Sequence, residues 1–527
     1  MLKGHNFIGF DRSGKSEQRI KVYSTLEKRY LEDDFYPATD AEIELAVQKA
    51  KSAFVALKEI SNEQRAVFLE AIATEIEANA QENISKALVE TALPKGRLEG
   101  ETGRTTGQLR FFAKIVREGS YQNSIIDLAQ PERSPLPKPG LRTINIPLGP
   151  VVVFAASNFP FAFSTAGGDT ASALAAGCPV IVKAHPSHLG TNELISECIL
   201  RAAKQCNMPD GIFSSLNGEG AELGTKLAAH PGIKAIGFTG SRTAGLALCK
   251  IASEREVPIP VYAEMSSVNP VVILPELLAE KAEETAGKLA ASISLGAGQF
   301  CTNPGLLFAL NDENLDVFAE TLQQKLSDTA GQVMLNRGIA QHYYESKDKL
   351  RQSKSSETLL FAEDEQASFK AAPAVFKVSL AEFLNHKQFQ NEVFGPTSIL
   401  VICNSKSELL DGLESLEGQL TATVFGTAGE LQNYRDLIAV LAEKAGRIVF
   451  NNVPTGVEVS YAMVHGGPFP ATSDGRSTSV GGEAINRFLR PVCFQDFPDD
   501  ILPEGLRNEN KQGILRKIDG IYNTKPI

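Results

Sequence analysis

Seven cysteines are scattered along the chain, at positions 178, 198, 206, 249, 301, 403 and 493, and one of them has surroundings suited to reaction. Cys301 stands in LGAGQFCTNPG, bracketed by Gly296, Gly298 and Gly305, with Pro304 just after it. A thiol on a glycine-rich turn at a helix end faces a cleft and can be approached by an electrophile, as nucleophilic catalysis requires. Cys178 and Cys249 sit instead inside apolar periodic segments, where a cysteine is ordinarily a small buried hydrophobe. Glu264, in VPIPVYAEMSSVNP, directly follows an apolar strand. An isolated carboxylate there is costly unless it is paired or lies at the carboxyl edge of a sheet, where open α/β sheets bind ligands. It would then serve as a base; a solvated strand-end glutamate is the plain alternative. Asn158, in FAASNFPFAFS, places an amide donor at a strand end beside Pro160, suited to a developing oxyanion, although asparagine is also a common turn former.

A second group of residues suits phosphate and ribose. The GxGxxG fingerprint is absent, but Thr239-Gly240-Ser241 follows an apolar run, with Gly245 about one helical turn on. Such a strand–glycine–helix junction presents backbone N–H groups to a pyrophosphate. Lys183 ends the run VIVK and can reach an adenosine ribose or its phosphate, or simply be solvated. His185 and His188 invite a metal reading, yet no acidic cluster accompanies them and no metal is expected. Serine-hydrolase elbows, Walker loops and zincin helices are missing.

These residues need a large scaffold. A chain of 527 residues exceeds one compact core, so two or more domains are expected. The net charge of -11 argues against a nucleic-acid partner, which normally meets a surplus of Lys and Arg. The start MLKGHNFIGF holds no signal-peptide apolar run, and no uninterrupted stretch of about 18 apolar residues points to a membrane span. An odd cysteine count without CxxC spacing fits the reduced thiols of a cytoplasm. Ile43, Val47, Ala50, Phe54 and Leu57 recur at helical spacing, a second helix starts at Asn62, and a third covers the 80s. Next, continuous apolar runs (151–156, 180–183, 235–240, 271–274) alternate with Ala-rich helical stretches, the mark of parallel strands covered on both faces. The alternation restarts near residue 266, with helices over 277–296 and 313–327 and strands near 398–403 and 447–450. The proline-rich 129–149 segment suits a β-arm leaving the body.

In order along the chain, SNFP, VK, FTGS, AEM, GQFCTNPG and NEVFGP resemble the motif series of the aldehyde dehydrogenase superfamily, from about residue 5 to about 498. GHNFIG, GRTTGQLRFFA, GGPFPATSDGRSTSVGG and FLRPVCFQDFP resemble its branch that oxidises α-ketoglutaric semialdehyde (2,5-dioxopentanoate). A bacterial NADP-preferring fatty aldehyde branch lies close by. The resemblance implies two doubly wound α/β domains and a small β-arm. Residues 1–128 and 148–265 would bind the cofactor, with 482–498 returning to them; 266–481 would be catalytic, and 129–147 with 499–527 would form the arm and tail of a homodimer or homotetramer. It implies that the Cys301 thiolate attacks the aldehyde, that Asn158 and the Cys301 N–H hold the oxygen, and that Glu264 activates water against the thioester. Lys183, Gly240, Ser241, Glu392, Phe394 and Ser157 fall to the cofactor side, and Phe159 to the substrate side.

Three departures bear on these roles. Pro186 replaces a glutamate that binds both ribose hydroxyls in many NAD-specific members, so NADP or NAD is expected, with NADP favoured. Ser266-Ser267 replaces a glycine pair after the base, and Ser157 replaces the usual Trp. Arg104 and Gln108 lie about one turn apart on a helix that in the family lines the aldehyde tunnel. A buried Arg there would bind a carboxylate bidentately, favouring 2,5-dioxopentanoate and its oxidation to 2-oxoglutarate; an ion pair of Arg104 with Glu101 is the other reading. The rivals are a broad-specificity or long-chain fatty aldehyde dehydrogenase, an acylating enzyme releasing acyl-CoA, against which Glu264 speaks, and a catalytically silent binding homologue.

Overall fold

A computed structural model describes residues 2–527. Val151–Phe154, Val180–Lys183, Phe213–Leu216, Ala235–Thr239 and Val261–Glu264 form parallel strands of a seven-stranded sheet. Asn6–Ile8 and Asp11–Ser13 extend it as antiparallel edge strands. Side chains alternate across the sheet: Val151, Val153, Val180 and Val182 enter one core, and Val152, Phe154, Ile181 and Ile236 the other. This is why the strands read as unbroken apolar runs. The chain moves one way from Val151–Phe154 to Val180–Lys183 and Phe213–Leu216, then returns to place Ala235–Thr239 on the other side. The order therefore reverses between Val151–Phe154 and Ala235–Thr239, the place where doubly wound sheets open a crevice at their carboxyl ends.

A second seven-stranded sheet repeats the plan, in the order Glu357–Phe361, Ala374–Ser379, Thr397–Cys403, Leu306–Leu310, Val271–Ile273, Gln419–Phe425 and Ala445–Phe450. Only Glu357–Phe361 runs antiparallel. Its faces likewise enter two cores, with Val272 and Phe308 in one and Val271 and Leu307 in the other. The doubly wound α/β architecture expected from the sequence is thus present twice. Small offsets at element ends have local causes: the strand expected over 271–274 stops at Ile273 because Leu274 caps the helix Pro275–Ser294, whose proline takes the first turn.

Leu489–Gln495, Leu141–Pro147, Ile125–Asp127, Arg516–Ile518 and Ile521–Asn523 make a third sheet. The 482–498 segment does not return whole to the first domain. Ile485 and Phe488 bury in its core, but Leu489–Gln495 pairs residue for residue with Leu141–Pro147. Arm strand and returning segment thereby satisfy each other's backbone groups. Among the described residues, no helix is long and apolar enough to cross a membrane.

Lys95–Glu118 is a 24-residue helix whose buried stripe includes Leu98, Thr102, Thr105, Leu109 and Phe112. It packs on Asn62–Ala78, which starts with a reciprocal cap between Ser61 and Gln64. The long helix is closed by Gly119 in a left-handed conformation. It presents Arg97 and Arg104 to the region between the two large sheets.

Candidate active site

Strand register sets one wall of the site. Phe154 pairs with Lys183 and with Phe238, and Thr239 pairs with Glu264, so these strand ends share the carboxyl edge of the first sheet. From this edge opens a cavity of about 850 Å³. It is lined by the expected cofactor residues Lys183, Gly240, Ser241, Glu392, Phe394 and Ser157, together with Cys301, Glu264, Asn158 and Phe159. Ser241 caps the helix Arg242–Ser253 through its hydroxyl, which accepts from the Ala244 N–H at 3.3 Å. Arg242 and Thr243, the first residues of that helix, line the cavity; first-turn amides carry the helix's positive end toward any anion there. Burial pushes the Lys183 ammonium down to about 8, with Glu219 partly opposing. His185, rather than Pro186, joins the cavity wall. Burial raises the Glu392 carboxyl to about 7, with a hydrogen bond from Ser266 opposing.

The loop that carries Cys301 is shaped by backbone. Gly296, Ala297 and Gly298 are successive left-handed residues after the helix Pro275–Ser294. A Cβ on Gly298 would lie 2.3 Å from the carbonyl carbon of Gly395, so only glycine fits. The reversal leaves Cys301 half-buried at its tip. Asn269 pins the tip: its Nδ2 donates to the carbonyls of Cys301 at 2.8 Å and Asn303 at 2.9 Å. Gln419 Oε1 in turn accepts from the backbone of Val268 and Asn269. The Ser267 hydroxyl belongs to this buried network, and both Ser266 and Ser267 line the cavity. Both serines reach Glu392, Ser266 through its side chain and Ser267 through its backbone, while the Ser267 hydroxyl also holds the loop.

Glu264 and Cys301 meet a residue that the sequence had not singled out. His465 is buried, with Nε2 at 3.1 Å from Glu264 Oε1 and 3.5 Å from Cys301 Sγ. The other Glu264 oxygen accepts from the Ser479 hydroxyl at 2.9 Å. The 465–480 segment is fastened to the end of Val261–Glu264, since Met265 N–H donates to the Ala471 carbonyl and Glu264 bridges Thr472. Burial would raise the Glu264 carboxyl, but the nearby His465 and hydrogen bonds from His465, Ser479 and Cys301 outweigh it and hold the group low. Burial, then the Glu264 charge, pushes the Cys301 thiol well up. The resting pair is thus thiol and carboxylate, with the acceptor for the thiol proton already in contact.

Asn158 spends one amide hydrogen on the Gln299 carbonyl at 3.1 Å and has a second to give. Its own carbonyl accepts from Arg97 Nη2 at 2.6 Å. The Arg97 guanidinium lies between the rings of Phe159 and Phe300, 4.9 and 4.6 Å from their centroids, and its Nε and Nη1 have no protein partner. Arg104 donates twice to the Val457 carbonyl, sits 4.9 Å over Phe163 and leaves Nη1 free. It forms no direct ion pair with Glu101, whose carboxylate accepts from the backbone of Phe161 and Ala162. Arg97, Arg104 and Gln108 are not among the residues that line the cavity, and the Gln108 amide lies against Gly168 at the start of another helix. His188, half of the nominal metal pair, bonds the Ala156 carbonyl and stacks on His185.

Comparison with known proteins points the same way. The aldehyde dehydrogenase family model matches residues 12–490. The chain is 49% identical over 520 residues to alpha-ketoglutaric semialdehyde dehydrogenase 2 of Azospirillum brasilense, covering 98% of this chain and 99% of that one. It is 43% identical to alpha-ketoglutaric semialdehyde dehydrogenase of Acinetobacter baylyi, covering 98% of each. Among solved structures it is similar to gamma-glutamyl-gamma-aminobutyraldehyde dehydrogenase of Burkholderia cenocepacia, with a TM-score of 0.80 at 19% identity over 94% of this chain and 97% of that one.

Proposed function

This chain belongs to the aldehyde dehydrogenase family, and on that premise we propose that it oxidises 2,5-dioxopentanoate to 2-oxoglutarate through a thioester on Cys301. The observation that carries the reading is the meeting of Cys301, Glu264 and Asn158 on one wall of a cavity that runs to Lys183, Gly240 and Ser241. In this reading the thiol proton passes to Glu264, directly or through His465, as sulfur bonds to the aldehyde carbon. The free amide hydrogen of Asn158, with the Cys301 N–H, holds the oxyanion. A nicotinamide dinucleotide bound along the cavity supplies the hydride acceptor. Glu264, once it has passed the thiol's proton on to solvent, removes a proton from water as the water attacks the thioester, and returns that proton to the departing sulfur, releasing acid and thiol. The hydroxyl of Ser479 and the imidazole of His465 keep its carboxylate aimed.

The substrate reading is supported by relatives named for α-ketoglutaric semialdehyde and by the unpartnered donors of Arg97 and Arg104 beside Phe159, Phe163 and Phe300. A 2-oxo acid offers acceptors to both guanidiniums. An alkanal would leave these buried N–H groups unpaired, at about 1–3 kcal/mol for each group. NADP use, with NAD tolerated, is supported by Lys183 and by the proline at 186. Division into a cofactor-binding unit (1–128 and 148–265, with 482–498 returning to it), a catalytic unit (266–481) and an arm and tail (129–147 and 499–527) is supported by the two large sheets and by the burial of Ile485 and Phe488 in the first core, with Leu489–Gln495 joining the arm strand. A homodimer or homotetramer formed through the third sheet is supported by exposed Phe497, Ile501, Ile521 and Tyr522 there. Initial rates with 2,5-dioxopentanoate and with alkanals, before and after Arg104→Ala, test the substrate. The acid substrate should lose about 10–100-fold in kcat/KM, the worth of a charged hydrogen bond, with alkanals unchanged; equal effects on both would refute the clamp.

A further inference from the structure

We propose that Cys301, Glu264 and His465 also form a reversible inhibitory site for a divalent cation of the zinc class. The candidate ligand atoms, Sγ, a carboxylate oxygen and an imidazole nitrogen, all lie within 4.8 Å of one another. Among the described residues, no other three such groups converge this way. Sulfur and Nε2 are 3.5 Å apart, and Nε2 and Glu264 Oε1 are 3.1 Å apart. A tetrahedral zinc ion, with bonds of about 2.3 Å to sulfur and about 2.0–2.1 Å to nitrogen and oxygen, holds sulfur and nitrogen about 3.5 Å apart and nitrogen and oxygen about 3.3 Å apart. The imidazole thus already stands from sulfur and carboxylate at separations within a few tenths of an ångström of those a zinc ion sets, and the sulfur–carboxylate separation, within 4.8 Å, is the one that closes on binding.

Donor chemistry and setting agree with this geometry. One thiolate, one imidazole and one carboxylate make a three-ligand set that leaves a fourth position for water, the composition of open zinc sites. That position faces the cavity, since Cys301 and Glu264 both line it. Ser479 donates to Glu264 Oε2, the oxygen turned away from His465, and so orients the carboxylate from the outer shell while leaving Oε1 to the ion. The stacked pair His185 and His188 lacks a third ligand, and the ring of His188 is engaged by the Ala156 carbonyl.

Coordination exchanges the thiol proton for a metal–sulfur bond and releases that proton to solvent. Binding therefore tightens as pH rises. Coordination draws charge off the sulfur, which weakens it as a nucleophile, and engages Glu264 and the space above Cys301, so turnover falls until a chelator removes the ion. That inhibitory consequence rests on Cys301 being the nucleophile; the binding itself does not.

The test reads binding directly. Metal-free protein is titrated with zinc against a chromophoric chelator, and with cobalt(II) while thiolate-to-cobalt charge-transfer absorption is followed in the near ultraviolet. One ion per chain is expected, with that absorption present, binding tighter at about pH 8 than at about pH 6, and inhibition reversed by EDTA. Cys301→Ser should remove the absorption, and His465→Asn and Glu264→Gln should each weaken binding at least about tenfold, on the scale of losing a ligand or its support. His465→Phe and thermal unfolding of every variant control for misfolding. A cobalt spectrum without thiolate absorption, unaltered affinity in the variants, or no binding at all would overturn the proposal. Tight binding in a protein that turns over no aldehyde would leave the metal site standing and refute the catalytic reading instead.

Discussion

At its two ends the cavity is built by different means. The end proposed for the nucleotide is made largely by backbone: the strand termini of the first sheet, the Gly240–Ser241 junction and the first turn of the helix behind it. The reactive end is made from side chains brought together across long stretches of chain. Glu264 and His465 are 201 residues apart, Cys301 and His465 164, and Arg97 reaches Asn158 across 61. A backbone-built site tolerates side-chain change because its amides come with the fold. A site built from side chains depends on each group and on its neighbours' charges. Substitutions at the two ends should therefore fail in different ways.

Cys301→Ala makes the largest separation. Turnover should fall by at least about 10⁴-fold, as when a covalent nucleophile is lost, while affinity for NADP stays within about twofold, because the nucleotide end is untouched. Stopped-flow production of reduced cofactor and equilibrium dialysis give the two numbers; a parallel loss of cofactor affinity would mean that the ends are not independent. Glu264→Gln probes coupling inside the reactive end. Steady-state turnover should drop by about 10²–10⁴-fold for a missing general base. The Cys301 thiol should nevertheless ionise at lower pH than in the wild type, because the anion that raises it, and the hydrogen bond to that anion, are gone. The pH profile of iodoacetamide labelling reads that shift. A thiol that ionises at higher pH in the variant would contradict the assigned cause. The smallest effect belongs to Lys183. With its ammonium near 8, the charged form prevails below that value and is lost above it. NADP affinity should accordingly weaken as pH rises through about 8, by up to about tenfold on the scale of one charge-assisted bond. Lys183→Met should flatten the profile, and an unchanged slope would assign the titration elsewhere.

The same contrast explains what could be read from the sequence. Continuous apolar runs announced the parallel strands, and Lys183, Gly240 and Ser241 could be singled out, and do line the cavity, because a strand end and a glycine are local signals. Cys301 was legible through its glycines, one of which, Gly298, is sterically required. His465 was not, because nothing local says that the 465–480 segment folds across the base strand through Met265–Ala471 and Glu264–Thr472. Its one signal was a histidine directly before Gly466-Gly467, in a chain with seven histidines. Helical geometry accounts for Gln108: four residues advance about 40° past a full turn, whereas seven residues fall about 20° short of two turns. Arg97, not Gln108, therefore shares the face of Arg104, and Gln108 turns toward Gly168.

The central claim is a thioester on Cys301 awaiting water from Glu264. Rapid mixing of Glu264→Gln with 2,5-dioxopentanoate and NADP, acid quench and peptide mass spectrometry test it most directly. A burst of about one reduced cofactor per active site, with the acyl group on the Cys301 peptide, is the predicted result. A burst with no acyl group on Cys301, or acylation at another residue, would contradict it.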